Sequence, residues 1–218
     1  MEYATGQQIY DVIVSAASSP ISVSELKLFA KISGTGEDAL LQQIIDGVTL
    51  EAERYTKRVF VQRTFRTWRD SLGDFGETPA YVCAPPMRYP YSQSGAPIVL
   101  RRSPLVSVSS VKYYSAGVLT TMSSALYQVV KKPAYSFIAP LSDAGWVTVD
   151  NRLQAVEIDF VAGYATVPAD IKNALLAHAT SVYQNRGDCD SGGSCSCSFA
   201  PSVSLAVYQQ YRILDFVG

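Results

Sequence analysis

Two amphipathic helical patterns stand on either side of a long stretch that reads as β-strand, and this arrangement restricts the fold more than any other feature. From Glu37 to about Arg58, residues Leu40, Leu41, Ile44, Ile45, Val48, Ala52 and Tyr55 recur at i, i+3/i+4 spacing, which predicts one apolar stripe. A second helix is expected over 168–186, with Ile171, Leu175, Val182 and Tyr183 on its apolar face. Its Ala174, Ala177 and Ala179 are small enough for close helix approach. Pro168 suits the first helical turn, where its missing N–H costs nothing, and Asp170 suits the positive N-terminal end. Either stripe alone would face water, so the helices before and after the middle of the chain must pack on each other.

The middle has a different texture. "FVQRTFRTW", "PIVLRR", "LVSVSSVKYY", "VLTTM", "LYQVV", "YSFIA" and "AVEIDFVAGY" are rich in Val, Thr, Tyr and Phe and are separated by turn residues at hairpin spacing. "YYSAGVLTT" reads as a hairpin tip with Gly117 at positive φ. The Pro- and Gly-rich stretch 72–97 reads as an ordered, irregular excursion. Shorter helices are expected over 5–17, capped by Thr5 with Ile9, Val12, Ile13 and Ala16 on one side, and after the capping box Ser22/Glu25, where "SGTG" stops the helix. A last helix follows "PSVSLAVYQQYRILDF", with Ser202 as its cap. The fold class is therefore α+β: a helical bundle formed by N- and C-terminal helices with an inserted antiparallel β domain. The expected divisions are an extension at 1–20, a helical domain of 21–58 plus 166–218, and a β insertion at 59–165.

Composition restricts function. Hydrophobic residues are 48% and charged residues 17% of the 218, the balance of a globular chain. Lys+Arg 18 against Asp+Glu 19 gives a net charge of −1, which argues against tight, sequence-independent duplex binding but leaves DNA as a possible neighbour. No run approaches the ~20 apolar residues of a membrane span. The first residues lack a basic segment, so neither membrane insertion nor a signal peptide is expected. Cys83, Cys189, Cys195 and Cys197 are then expected as reduced thiols in a cytoplasmic product.

No catalytic constellation emerges. His178 is the one histidine, and its place on the buried side of the helix favours a core or interface role over catalysis. The Cys189/Cys195/Cys197 cluster beside Asp188 and Asp190 has neither zinc-knuckle spacing nor a fourth ligand nearby, so a Gly/Ser/Cys hinge is expected, with no metal and no cofactor. Glu37/Asp38 fit a helix first turn, and "SGTGEDA" (33–39) lacks the spacing and lysine of a P-loop. Lys57, Arg58, Arg63, Arg66 and Arg69 alternate with Phe60, Phe65 and Trp68. Such a pattern can stack on nucleic acid, but in a sheet it more often marks a half-solvated strand with snorkelling arginines. The 14 tyrosines are scattered over every element, so packing accounts for them as well as ligand recognition does.

Several segments, in order, resemble the head–tail connector (adaptor, or head-completion) proteins of tailed bacteriophages, in their longer form with an inserted β domain. They are "ISVSELKLFAKI", "EDALLQQIIDGVTLEAERYTKRVFVQRTFRTW", "SPLVSVSSVKYYSAGVLTTM", "VEIDFVAGYATVPADIKNALLAHATSVYQNRG" and "LAVYQQYRI", covering about residues 21–214. The extension at 1–20, the loop at 72–97 and the Cys-rich loop depart from that pattern. The resemblance implies a non-enzymatic virion protein at the head–tail interface, assembled in the host cytoplasm. It implies a dodecameric ring beneath the portal, with a stopper or terminator on the tail side and genomic DNA passing through the lumen without sequence-specific binding. The alternatives kept beside it are another tail-joining or tail-terminator protein, a ligand-recognition β module and a Cys/His-dependent enzyme.

The segment "YRILDFVG" carries Ile213, Leu214, Phe216 and Val217 beyond the last helix. Fully covered, four such side chains bury on the order of 6–10 kcal/mol of gross hydrophobic free energy. The residues alone allow two destinations, the subunit's own bundle or a partner. The resemblance implies the second, with Arg212, Ile213, Leu214, Phe216 and Val217 binding the portal, so that deleting 212–218 should leave the fold intact.

Overall fold

The computed structural model describes residues 10–14, 18–72, 95–141, 145–185 and 200–214. Within them lie strands β1 (Tyr10–Val14), β2 (Arg63–Arg69), β3 (Ile98–Leu100), β4 (Leu105–Ser115), β5 (Val118–Thr121), β6 (Tyr127–Val130), β7 (Ser136–Pro140) and β8 (Val156–Ala162). The helices are α1 (Val23–Ala30), α2 (Asp38–Thr56), α3 (Ala169–Gln184) and α4 (Ser202–Tyr211). The architecture is α+β, and the chain divides into two compact units. One takes residues 16–61 and 164–213; the other holds 62–163 together with β1 and Leu214.

In the helical unit, α2 packs against α3 and α4, and α1 against α2 and α3. Ile21, Leu26, Leu41, Ile45, Val48, Ala52, Phe60, Ile171, Ala174, Leu175, Ala179 and Tyr208 form one buried cluster. The two predicted stripes therefore meet, though each is narrower than its pattern. Leu40 (38% exposed) and Val182 (41%) turn away from the core, and Ala177 is half-buried. The capping box forms as expected: the Glu25 amide donates to Ser22 Oγ at 3.2 Å, and the Ser22 amide to Glu25 Oε2 at 2.7 Å. The Ser22 amide and, less strongly, its hydroxyl donate to the Glu25 carboxylate and hold that carboxyl below its ordinary range.

Three local expectations need correction. Pro168 and Pro201 occupy the N-cap positions of α3 and α4, so neither Pro168 nor Ser202 plays the part expected of it. The extended Pro168 carbonyl already accepts the first helical bond, from the Lys172 amide at 3.0 Å. α1 ends at a left-handed Lys31, before "SGTG" is reached. Most consequentially, residues 10–14 are a strand rather than part of a helix over 5–17. The β-branched run of "YDVIV" pairs along β2 with Val12 opposite Phe65, and sheet pairing overrides a weak helical period.

The β unit holds a five-stranded sheet in the order β1-β2-β8-β4-β5 and a three-stranded sheet in the order β3-β7-β6, every neighbouring pair antiparallel. Alternation divides the faces of the larger sheet. Phe65, Val111, Val156, Ile158 and Phe160 are buried on one, while Arg66, Ser110, Lys112, Glu157 and Asp159 occupy the other. At the β4–β5 tip both turn residues are left-handed, Ala116 at φ 51° and Gly117 at φ 77°, the backbone that a two-residue hairpin turn demands.

Candidate functional site

The candidate partner-binding segment begins where α4 ends, and local bonds hold its first residues. Arg58 Nε donates to the Tyr211 carbonyl at 2.6 Å, and the Ile213 amide donates to the Thr56 carbonyl at 3.0 Å. The Arg212 guanidinium lies 5.0 Å from the centre of the Tyr55 ring. Ile213 is 3% exposed, whereas Leu214 is 56% exposed. Tyr211 Oη donates to Asp170 Oδ2 at 2.8 Å, and that bond, with some burial, pushes the phenol up to about 12. Asp170 also accepts from the Ile171 amide at 2.9 Å, so one carboxylate ties the first turn of α3 to the last residue of α4. Of the five predicted partner-binding residues, Ile213 thus belongs to the bundle and Arg212 lies over Tyr55. Leu214 faces outward, and Phe216 and Val217 lie outside the described residues.

His178 is buried, as its helical position predicts. Its Nδ1 is 3.4 Å from Tyr208 Oη and its Nε2 is 4.0 Å from a Glu51 carboxylate oxygen, so both ring nitrogens face groups of neighbouring helices. Burial pushes the Tyr208 phenol strongly upward, with the Glu51 charge adding to it. Glu37 accepts a hydrogen bond from the Tyr183 hydroxyl, and Asp38 pairs with Lys27; both carboxylates serve helix packing. Cys83, Cys189, Cys195, Cys197, Asp188 and Asp190 lie outside the described residues, among which no cluster of three potential metal ligands occurs. No helix among the described residues is long and apolar enough to cross a membrane.

The basic, aromatic-interleaved stretch takes its structural role. Phe60 and Phe65 are buried, with Phe65 stacked on Phe160 at 5.7 Å. Arg69 is 7% exposed and donates to the Val99 carbonyl at 3.2 Å. Arg66 makes a fork to Asp159 at 2.7 and 2.9 Å and reaches Glu157 at 3.3 Å. Lys112 bonds Glu157 at 2.8 Å, and Ser110 bonds Asp159 at 3.3 Å. The Arg66 fork, aided by Lys112, holds the Asp159 carboxyl below its ordinary range. Sequence reading missed this network, although part of its signal is present: Glu157 and Asp159 fall at alternate positions in "VEIDFVA", on one face of the strand.

Sequence reading also missed the cap on the β4–β5 tip. Asp150 accepts from the Ala116 amide at 2.9 Å and the Gly117 amide at 2.7 Å. Arg152 lies 3.9 Å over the Tyr114 ring beside it. The hairpin is pinned from a segment far along the chain, so no short-range pattern points to it.

No family model matches the chain, and no curated protein does. Solved structures do. A chain in the neck of an empty gene transfer agent (GTA) particle, computed with C6 symmetry, is 20% identical, with TM-score 0.71 over 96% of this chain and 98% of that one. The chain's fold is that of a GTA neck chain. A chain of the native GTA virion matches at 19% identity and TM-score 0.70, again over 96% and 98% of the two chains. One from the native neck computed with C12 symmetry matches at 20% and 0.67. The neck fold thus spans both units of this chain, not the helices alone.

Proposed function

We propose that the chain is a non-enzymatic structural protein of a phage-like particle, forming the ring that joins the portal of the head to the stopper or terminator of the tail. The carrying observation is the whole-length likeness to neck chains from reconstructions with sixfold and twelvefold symmetry. The ring is a dodecamer, assembled in the host cytoplasm, and the genome passes through its lumen without sequence-specific contact. The near-neutral charge of −1 supports this reading, because a lumen crowded with lysine and arginine would retain the DNA it must release.

The portal contact falls to the segment after α4. With Ile213 buried and bonded through its amide to Thr56, and Arg212 over Tyr55, these two act as the anchor, and Leu214, Phe216 and Val217 are the residues offered to the portal. A short extended segment of this kind binds by backbone hydrogen bonds and side-chain pockets. Electron microscopy of the purified chain mixed with its cognate portal ring tests the assignment. A ring stacked on the portal is expected for the full chain, and bare portal for a chain cut after Ile213. Absence of a ring from the full chain would refute the connector role, and unaltered binding by the shortened chain would refute the docking segment.

A further inference from the structure

The two edges of the five-stranded sheet share an unusual surface. β1 exposes three consecutive apolar residues, Val12 at 46%, Ile13 at 43% and Val14 at 58%. At the opposite edge β5 is exposed along its whole length, with Val118 at 63% and Leu119 at 41%. Edge strands are ordinarily protected by charge, proline or a bulge. β1 carries Asp11 and a bulge between Val12 and Val14, which puts those two valines on opposite faces, but its exposed "VIV" and the β5 "VLTT" contain neither charge nor proline. The β5 edge is also stiff, since the left-handed turn, the Asp150 cap and the Arg152–Tyr114 contact fix it before any partner arrives. A rigid apolar edge is made to be covered.

The topology says by what. Five strands, each antiparallel to the next, leave β1 and β5 running in the same direction. Rotation of one copy about an external axis brings its β1 beside the β5 of its neighbour, and the two strands then lie parallel. The faces correspond as well. Val12 opposite Phe65 and Val118 opposite Ser115 lie on the face of Val111 and Ile158. Val14 opposite Thr64 and Leu119 opposite Tyr114 lie on the face of Arg66 and Lys112. Apolar residues therefore meet on both faces in one register, in the same order along both strands.

We infer that β5 of one copy adds to β1 of the next, so that neighbouring copies of this chain share one continuous sheet. The interface is heterologous, the kind that closes into a ring when the rotation between neighbours allows it. The inference rests on the ring reading above and specifies how that ring is stitched.

The test uses the full chain with its cognate portal ring. In a background with Cys83, Cys189, Cys195 and Cys197 changed to serine, Val14→Cys and Leu119→Cys are introduced singly and together, and the assembled rings are oxidised. A ladder of covalent oligomers from the double variant alone is expected. Separately, Leu119→Lys should lower ring yield more than tenfold, and Val14→Glu in the same chain should restore it. Restoration distinguishes a broken interface from a misfolded subunit. Rings that give no ladder, or that form at full yield with Leu119→Lys, overturn the edge pairing and leave the ring reading standing. Crosslinking by Leu119→Cys alone also overturns it, because two β5 edges would then be meeting. If the unsubstituted chain forms no ring, the ring reading falls and the edge pairing falls with it.

Discussion

Ile213→Ala distinguishes anchor from docking element at the segment beyond α4. At 3% exposure, the side chain loses three buried carbons on truncation. At ~0.8 kcal/mol each, plus the cavity left behind, the cost is about 2–4 kcal/mol. The amide bond from Ile213 to the Thr56 carbonyl and the Arg58 bond to the Tyr211 carbonyl hold the surrounding backbone. The site is therefore poorly able to collapse into the gap, which favours the upper part of that range. For a chain of this size the midpoint of thermal unfolding should fall by roughly 5–12 °C. Leu214→Ala, at 56% exposure, should change stability by less than about 0.5 kcal/mol. Urea unfolding and calorimetry of the two variants measure the difference directly. A loss below about 1 kcal/mol for Ile213→Ala, or an equal loss for Leu214→Ala, would refute the division at residue 213. By the same reasoning, deleting 212–218 as a block should lower stability by at least as much as Ile213→Ala, and an unchanged melting curve would return the segment to the role expected from sequence.

Two further variants probe the β unit. Asp159→Asn should lower stability at pH 7 and make less difference as the solution is acidified. The folded pKa of Asp159 is depressed by Arg66, so its contribution is present above the ordinary carboxylate pKa of about 4 and disappears as pH falls through the folded value. Urea midpoints of the two proteins should differ steadily from pH 7 to about 4 and draw together below it; curves that stay parallel in acid would count against the fork. Asp150→Ala removes the acceptor for two hairpin amides and should cost about 1–3 kcal/mol. Faster amide hydrogen exchange at Ala116 and Gly117 should accompany it, and unchanged exchange would show that the cap is dispensable.

What could be read from sequence follows the range of the interactions involved. The α2 and α3 stripes, the Ser22/Glu25 box and the Gly117 turn are set by neighbours within a few residues, and each appears where its spacing predicts. β1 was not legible because "YDVIV" acquires its structure from β2, some fifty positions away, while its own period suits either state. The fate of Ile213 was hidden for a similar reason. A lone isoleucine after a helix carries no period, and the groups that hold its segment, Thr56 and Arg58, come from the far side of the β insertion. On the portal-docking proposal, the residues that end α2 would also hold the start of the docking segment, through the Thr56 carbonyl and the Arg58 side chain. On that proposal, a change at Arg58 should disturb portal docking without touching any residue proposed to meet the portal. Arg58→Ala, which removes the bond to the Tyr211 carbonyl, should weaken portal binding severalfold while Leu214, Phe216 and Val217 are all still present.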